Sequence, residues 1–255
     1  MLPGVDSSES VYVADFWSLR EFNGRNGAAG DVAFHRFAGP GIRAPMTVAA
    51  YGDRLLVTSW FTNTVQIWDP QTESVVAQYS DLAVPVNAIG FQGDLVVAEL
   101  ATGRLVRANA ANPAVRTTLA SGIGVPTGLA ATNRDLWVAD FATGRVLQVV
   151  ADGATLTPPR VVADGLASPK GLAVAGDGSL LVVEVGAQRL TRIDPVTGAK
   201  STVADELAVG LPAVPGPPIP AWTLSGVAVG PSGDIYVTGD QGDVLYRIRC
   251  CHVTS

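Results

Sequence analysis

Cysteine, methionine and histidine are nearly absent from this 255-residue chain, which has two of each. The two cysteines, Cys250 and Cys251, are adjacent, so they cannot build a disulfide framework and leave the redox compartment open. Histidine chemistry has little material. His35 lies in "VAFHRF", which reads as an outer strand with the ring at the surface, and His252 follows the cysteine pair. Cys-Cys-His has ligands for a soft metal, but a frayed C-terminal strand is the expected reading. Charged residues are sparse at 16%, and the net charge of -6 excludes a nucleic-acid partner, because phosphate binding needs a basic surface. No apolar run approaches the roughly 18–20 residues of a membrane span. The opening "MLPGVDSSES" lacks a basic n-region and an apolar h-region, so no signal peptide is expected in the sequence as written. No Gly-x-Ser-x-Gly elbow and no phosphate-binding loop occurs.

What the chain has in quantity is apolar residues (47%), 28 glycines and 17 prolines, the composition of a large core crossed by many turns. It also repeats itself. "VYVADFWSLRE" (11–21), "LVVAELATGRL" (95–105), "LWVADFATGRV" (136–146) and "LLVVEVGAQRL" (180–190) are one phrase. Markers taken at Asp15, Ser59, Glu99, Asp140, Glu184 and Gly239 recur every 40–44 residues, with a last interval of 55. That period belongs to propellers and to helical arrays. Short alternating runs of Val, Leu, Ile, Tyr and Trp, split by Gly, Asp, Asn and Pro, decide for strands. In 126–168, "GLAAT" reads as a small-residue inner strand, "DLWVAD" and "RVLQVV" as the second and third, and "PRVVADGL" as the outer fourth. The expected fold is all-β: one six-bladed β-propeller of four-stranded antiparallel blades near 1–44, 45–84, 85–125, 126–168, 169–223 and 224–255. Closing such a ring leaves only short protected edges.

Pro-x-Gly-Leu-Ala, then Leu-x-Val-Ala-Asp, then Gly-Arg-Val, then a turn such as "RIDPVTG" (192–198), resembles the six-bladed propellers of the NHL-repeat group. It is also similar to the wider gluconolactonase and senescence marker protein family. A WD-repeat propeller is disfavoured, since one Trp-Asp pair, Trp68-Asp69, stands at the right place. The resemblance covers the whole chain and implies architecture more than activity, because this fold carries lactonases, esterases, lyases and binding domains. Lactonase relatives hold a divalent cation through a glutamate in the first inner strand and through Asn or Asp between the Pro and Gly of later blade starts. Here those intervening positions are Pro3, Met46, Val86, Thr127, Lys170 and Ser225, with Asn87 one place further on. Asp6 and Glu9 lie near the first inner strand without matching the family position. A hard divalent ion wants six or more oxygens, so no metal and no cofactor is expected. Exported relatives are consistent with a trimmed secreted form.

Four of the markers are acids, and each is followed five residues later by an arginine: Asp15 with Arg20, Glu99 with Arg104, Asp140 with Arg145, Glu184 with Arg189. Where the acid is absent, so is the arginine: Ser59 precedes Thr64 and Gly239 precedes Val244. The spacing predicts structural pairs across each hairpin, with the acid also accepting N–H bonds of the turn. Asp240 has no such arginine. Phe16, Trp17, Trp60, Phe61 and Phe141 follow the markers and are expected to pack against neighbouring blades. The long last interval contains the Pro-rich "DELAVGLPAVPGPPIPAWT" (205–223), read as either a lid over the channel or packing between blades. Lys170, Trp222, Ser225, Asp240 and Asn87 are therefore the candidate ligand-binding residues, at the channel mouth. The expected role is binding of a small molecule or protein there by a monomer. The alternative is a hydrolase or lactonase of the gluconolactonase type. A third is a lyase like the streptogramin-opening propellers, weakened because those depend on a catalytic histidine.

Overall fold

The computed structural model describes residues 3–211 and 225–249. Trp222, Cys250, Cys251, His252 and most of the Pro-rich insertion lie outside the described residues. The chain forms a six-bladed β-propeller with no helix among the described residues. The first sheet is β1 (Pro3–Val5), β2 (Ser10–Ala14), β3 (Ser18–Asn23) and β4 (Ala29–Phe34); the second is β5 (Thr47–Tyr51), β6 (Arg54–Ser59), β7 (Thr64–Asp69) and β8 (Ser74–Tyr79). The third is β9 (Pro85–Phe91), β10 (Asp94–Glu99), β11 (Arg104–Ala108) and β12 (Arg116–Ala120); the fourth is β13 (Pro126–Ala131), β14 (Leu136–Asp140), β15 (Arg145–Ala151) and β16 (Ala154–Ala163). The fifth is β17 (Pro169–Val174), β18 (Leu180–Glu184), β19 (Arg189–Ile193) and β20 (Lys200–Ala204), and the sixth is β21 (Val227–Val229), β22 (Ile235–Gly239) and β23 (Val244–Ile248). Pairing is antiparallel and sequential in every sheet, and the sixth has three strands among the described residues.

The fourth strand of the fourth blade starts earlier than its sequence suggested. Asp152 and Gly153 both take positive φ (51° and 84°), and this tight turn lets Ala154 pair at once with Ala151.

The ring closes because each inner strand packs on the next: β1 on β5, β5 on β9, β9 on β13, β13 on β17, β17 on β21 and β21 back on β1. Six strands around one axis leave little room for side chains. A Cβ on Gly128 would lie 2.3 Å from the Lys170 carbonyl oxygen, and one on Gly171 would lie 2.8 Å from the Gly226 Cα. The glycine of Pro-x-Gly is thus required by contact with the neighbouring blade. Asn87 and Thr47 stand where other blades have glycine. Thr47 Oγ1 donates to the Val86 carbonyl (3.2 Å), and Thr127 Oγ1 ties its strand to Pro169 (3.1 Å), so polar inner-strand positions also join blades. Between blades, alternate residues of second and third strands build the cores. One groups Val96, Leu105, Leu136 and Val138 of the third and fourth blades, another Leu181, Leu190, Ile235 and Val237 of the fifth and sixth.

The first and last blades meet through Glu9, an acid near the first inner strand that does not match the family's metal position. It is 4% exposed. Its carboxylate accepts from the Ser232 Oγ (2.5 Å), the Ser232 N–H (3.1 Å) and the Tyr236 hydroxyl (3.0 Å) of the sixth blade. Burial first, and then the Glu9 hydrogen bond, push the Tyr236 phenol up to about 12. Asp6 is likewise engaged, its Oδ1 accepting the Ser8 and Ser10 N–H groups (both 2.9 Å) in the β1–β2 turn.

Two substitutions test this. Glu9→Ala strands the Ser232 N–H and hydroxyl in the seam, while Tyr236 keeps the Gly24 carbonyl (3.1 Å), and should cost about 2–3 kcal/mol in urea unfolding. Gly128→Ala should destabilise by more than about 2 kcal/mol or prevent folding, whereas Gly176→Ala, with nothing within 4 Å of the added Cβ, should change stability by less than about 0.5 kcal/mol.

Candidate functional site: the channel mouth

One face of the ring is made of the turns joining second to third strands and of the connections entering the next inner strand. In the second to fifth blades the turn receives the connection in the same way. The carbonyls of Asn63, Gly103, Gly144 and Gln188 accept the N–H of Leu82, Ile123, Leu166 and Leu207 at 2.8–3.3 Å. These four acceptors have positive φ of 51–65°. A Cβ on Gly103 would also lie 2.3 Å from the Ile123 oxygen, which explains the glycine of "ATGR" beyond its turn geometry.

The repeated acids fasten the same junction. Glu99 accepts the Ala83 N–H (3.0 Å), Asp140 those of Gly124 (3.1 Å) and Val125 (2.9 Å), and Glu184 that of Ala167 (2.7 Å). In the sixth blade the acid moves one residue on: Asp240 Oδ1 accepts the Gly210 N–H at 2.6 Å. Asp15 instead closes its own turn, accepting from Trp17 (2.7 Å) and Ser18 (2.6 Å). Burial works to raise the carboxyls of Glu99, Asp140 and Glu184, but these N–H bonds and neighbouring hydroxyl or guanidinium donors outweigh it and leave all three below their ordinary values.

Arginine is the second partner, and in three blades only. Arg20 lies 3.5 Å from Asp15, Arg104 3.0 Å from Glu99 and Arg189 2.8 Å from Glu184. The fourth expected pair does not form. Asp140 and Arg145 face each other in register, yet the Asp140 oxygens are taken by Gly124, Val125, the Ala142 N–H (3.2 Å) and the Thr143 hydroxyl (2.8 Å), and Arg145 is exposed. With two connection amides on one short side chain, no oxygen is left directed at the guanidinium.

The six residues between Pro and Gly of the blade starts, from Pro3 round to Ser225, are all buried. Lys170 is the charged one, 3% exposed. Its Nζ sits 5.6 Å from the centre of the Phe141 ring, and burial pushes its pKa down to about 8, with the Asp240 charge opposing. Ser225 is fully buried, and its Oγ has no hydrogen-bond partner; the same holds for Asp240 Oδ2. The structure thus brings a desolvated amine, a carboxylate with an unused oxygen and a buried hydroxyl to adjacent positions of the fifth and sixth blades. Asn87 is separate from them. It is the polar member of a channel cavity of about 190 Å³ otherwise walled by Val48, Leu129, Leu172, Val227 and similar residues. Among the described residues no three His, Cys, Asp or Glu side chains converge as metal ligands would.

The aromatics divide. Trp60, Phe16 and Phe141 pack into or against blade cores, as expected. Trp17 and Phe61 do not, and each is 60% exposed. His35 lies just past β4, half-buried, with Nδ1 accepting the Ala44 N–H at 2.7 Å. The start of the insertion is packing material, since Leu207 and Val209 are buried against the fifth and sixth blades.

The architecture defines the class, a six-bladed β-propeller, and solved structures share it. The propeller of a nidogen–laminin complex matches with a TM-score of 0.73 at 13% identity, covering 94% of this chain and 88% of that one. Virginiamycin B lyase from Staphylococcus aureus matches at 0.65 and 12% identity, covering 98% and 83%. Regucalcin, a calcium-binding protein from Agrobacterium tumefaciens, matches at 0.63 and 15% identity, covering 94% and 82%. At these identities the likeness is one of fold. No family model and no curated protein sequence matches the chain. Among the described residues no helix is long and apolar enough to cross a membrane.

Two measurements follow from the mouth. A double-mutant cycle on Glu184 and Arg189 should give a coupling of about 1–2 kcal/mol, and the same cycle on Asp140 and Arg145 should be additive within about 0.5 kcal/mol. The second concerns Lys170. Its folded pKa of about 8 lies below the ordinary 10.5, so between the two the unfolded chain holds more protons and stability rises with pH. Urea midpoints should therefore show the wild type gaining on Lys170→Met between pH 7.5 and 10, by no more than about 3 kcal/mol.

Proposed function

We propose that this propeller is a binding protein that takes a small ligand at the channel mouth, held by Lys170, Ser225 and Asp240. The observation that carries the reading is the burial of Lys170 beside an aspartate and an aromatic ring. Desolvating an ammonium is costly, and the equivalent positions of the other blades carry Pro, Met, Val, Thr and Ser. A buried amine whose pKa is pushed down to about 8, beside a carboxylate, is a mark of a functional site. The ligand chemistry is that of a small hydroxylated carbonyl compound. Its carbonyl or carboxylate oxygen would accept from Lys170, and its hydroxyl would donate to the unused Asp240 oxygen and pair with Ser225.

The lactonase reading shares this site and would treat Lys170 as a base. It has less support, because the blade starts carry one amide, Asn87, a step away from the intervening position, and no carboxylate. A panel of aldonolactones and small hydroxy acids, followed by thermal shift and by lactone consumption, separates the two. Binding predicts at least one compound that raises the melting temperature and loses that effect in both Lys170→Met and Asp240→Asn. Consumption of a lactone with turnover would replace binding with catalysis. No shift from any member, or shifts unchanged in Lys170→Met, would sink the mouth as the site.

A further inference from the structure

The edge of the mouth face shared by the first and second blades departs from the repeat in a way the fold does not require. Two residues past the acid position, the third, fourth and fifth blades have Ala101, Ala142 and Gly186, whereas the first two have Trp17 and Phe61. The turn is thus built as well by alanine or glycine, and the large rings are not packing material. Trp17 and Phe61 are 60% exposed and Phe37 is 77% exposed. They form one surface. Phe16 is edge-on to both Trp17 (4.8 Å between centres) and Phe61 (5.3 Å), and Phe37 meets Trp17 (6.3 Å) and His35 (4.4 Å). Contiguous exposed apolar surface of this kind marks a site of interaction.

A second, polar feature continues from it along the chain. Thr62 and Asn63 follow Phe61, and Arg43 ends the segment that carries His35 and Phe37. With Gln78, Ser80 and Asp81 they line a cavity of about 340 Å³. Its groups are fixed by one another. The Arg43 N–H donates to Gln66 (2.9 Å), Gln66 to Gln78 (3.0 Å), and Gln78 to the Ser80 hydroxyl (3.0 Å). The Arg43 guanidinium is held on the Gly39 carbonyl at 2.9 Å. The volume suits a ligand of one or two rings. Hydroxyl, carboxamide, guanidinium and carboxylate groups in one cavity offer both donors and acceptors, with one positive and one negative charge.

A ligand that matches both features has an apolar face to lie on rings and several hydroxyls to exchange hydrogen bonds, with little net charge. We propose that this edge is a saccharide-binding site, with Phe61 and Trp17 as the stacking platform and Arg43, Asn63, Gln78 and Asp81 as the hydroxyl-reading wall. A protein partner fits less well, because the aspartate and serine that line this cavity are depleted from protein interfaces. The site lies on different blades from Lys170 and stands independently of the role given to it.

The test is a broad array of plant, animal and microbial glycans, followed by calorimetric titration and tryptophan fluorescence with the best disaccharide or trisaccharide. Because sister blades carry alanine at the same turn position, Trp17→Ala and Phe61→Ala should leave the melting temperature nearly unchanged. Each should weaken the glycan by about tenfold or more. The proposal is overturned if no glycan on the array is retained, or if retained glycans bind both variants as tightly as the wild type. It is also overturned if sedimentation finds a wild-type dimer that Trp17→Ala and Phe61→Ala dissociate, since the rings would then be a protein interface.

Discussion

Six inner strands must share one axis, and their backbones meet with almost no space between them. Where Gly128 faces Lys170 and Gly171 faces Gly226, a single methyl group would overlap main-chain atoms. This constraint sets the rest of the molecule. It makes the channel narrow and mostly apolar, walled by Val, Ala and Leu with Asn87 as its polar member. Chemistry is displaced outward to the turns and connections of one face. Those in turn are held by a repeated device, an acid that accepts the N–H of the arriving connection and a left-handed residue whose carbonyl accepts another.

Much of this was legible in the chain. The period of the repeat, the alternating strands and the small inner residues specify a propeller because each follows from local pattern, and local pattern survives into the fold. The acids at Glu99, Asp140 and Glu184 stood out for the same reason, and their pairing with arginine was readable as a spacing. Their main partner was not. The N–H groups of Ala83, Val125 and Ala167 arrive from a connection about sixteen residues earlier, and nothing in the spacing says which donor reaches the carboxylate first. At Asp140 two such donors arrived and displaced Arg145 altogether. Glu9 was harder still, since its partners Ser232 and Tyr236 lie at the far end of the chain and meet it only once the ring has closed.

The candidate site divides along the same line. Lys170, Ser225 and Asp240 were visible as departures from a repeat, one charged, one polar and one unpaired by arginine, and they stand on neighbouring blades. The burial of Lys170 and Ser225 was not visible, and burial is what lowers the Lys170 pKa. Asn87, marked by the same reasoning, belongs instead to the channel wall. The exposed rings of Trp17 and Phe61 looked like ordinary blade packing because the neighbouring aromatics, Phe16 and Trp60, do pack. Two adjacent positions of one turn have opposite fates, and only the three-dimensional arrangement separates them. The departure from alanine and glycine in the sister blades was the available signal.

The proposed binding chemistry depends on one desolvated amine at the mouth, that of Lys170. Its titration can be followed directly by the NMR shift of the Lys170 side chain, in the wild type and in Asp240→Asn. Burial lowers the pKa and the Asp240 charge opposes that, so the wild type should titrate near 8 and Asp240→Asn lower still. A wild-type value near the ordinary 10.5, unmoved by Asp240→Asn, would mean that Lys170 is solvated and that the mouth lacks the chemistry assigned to it.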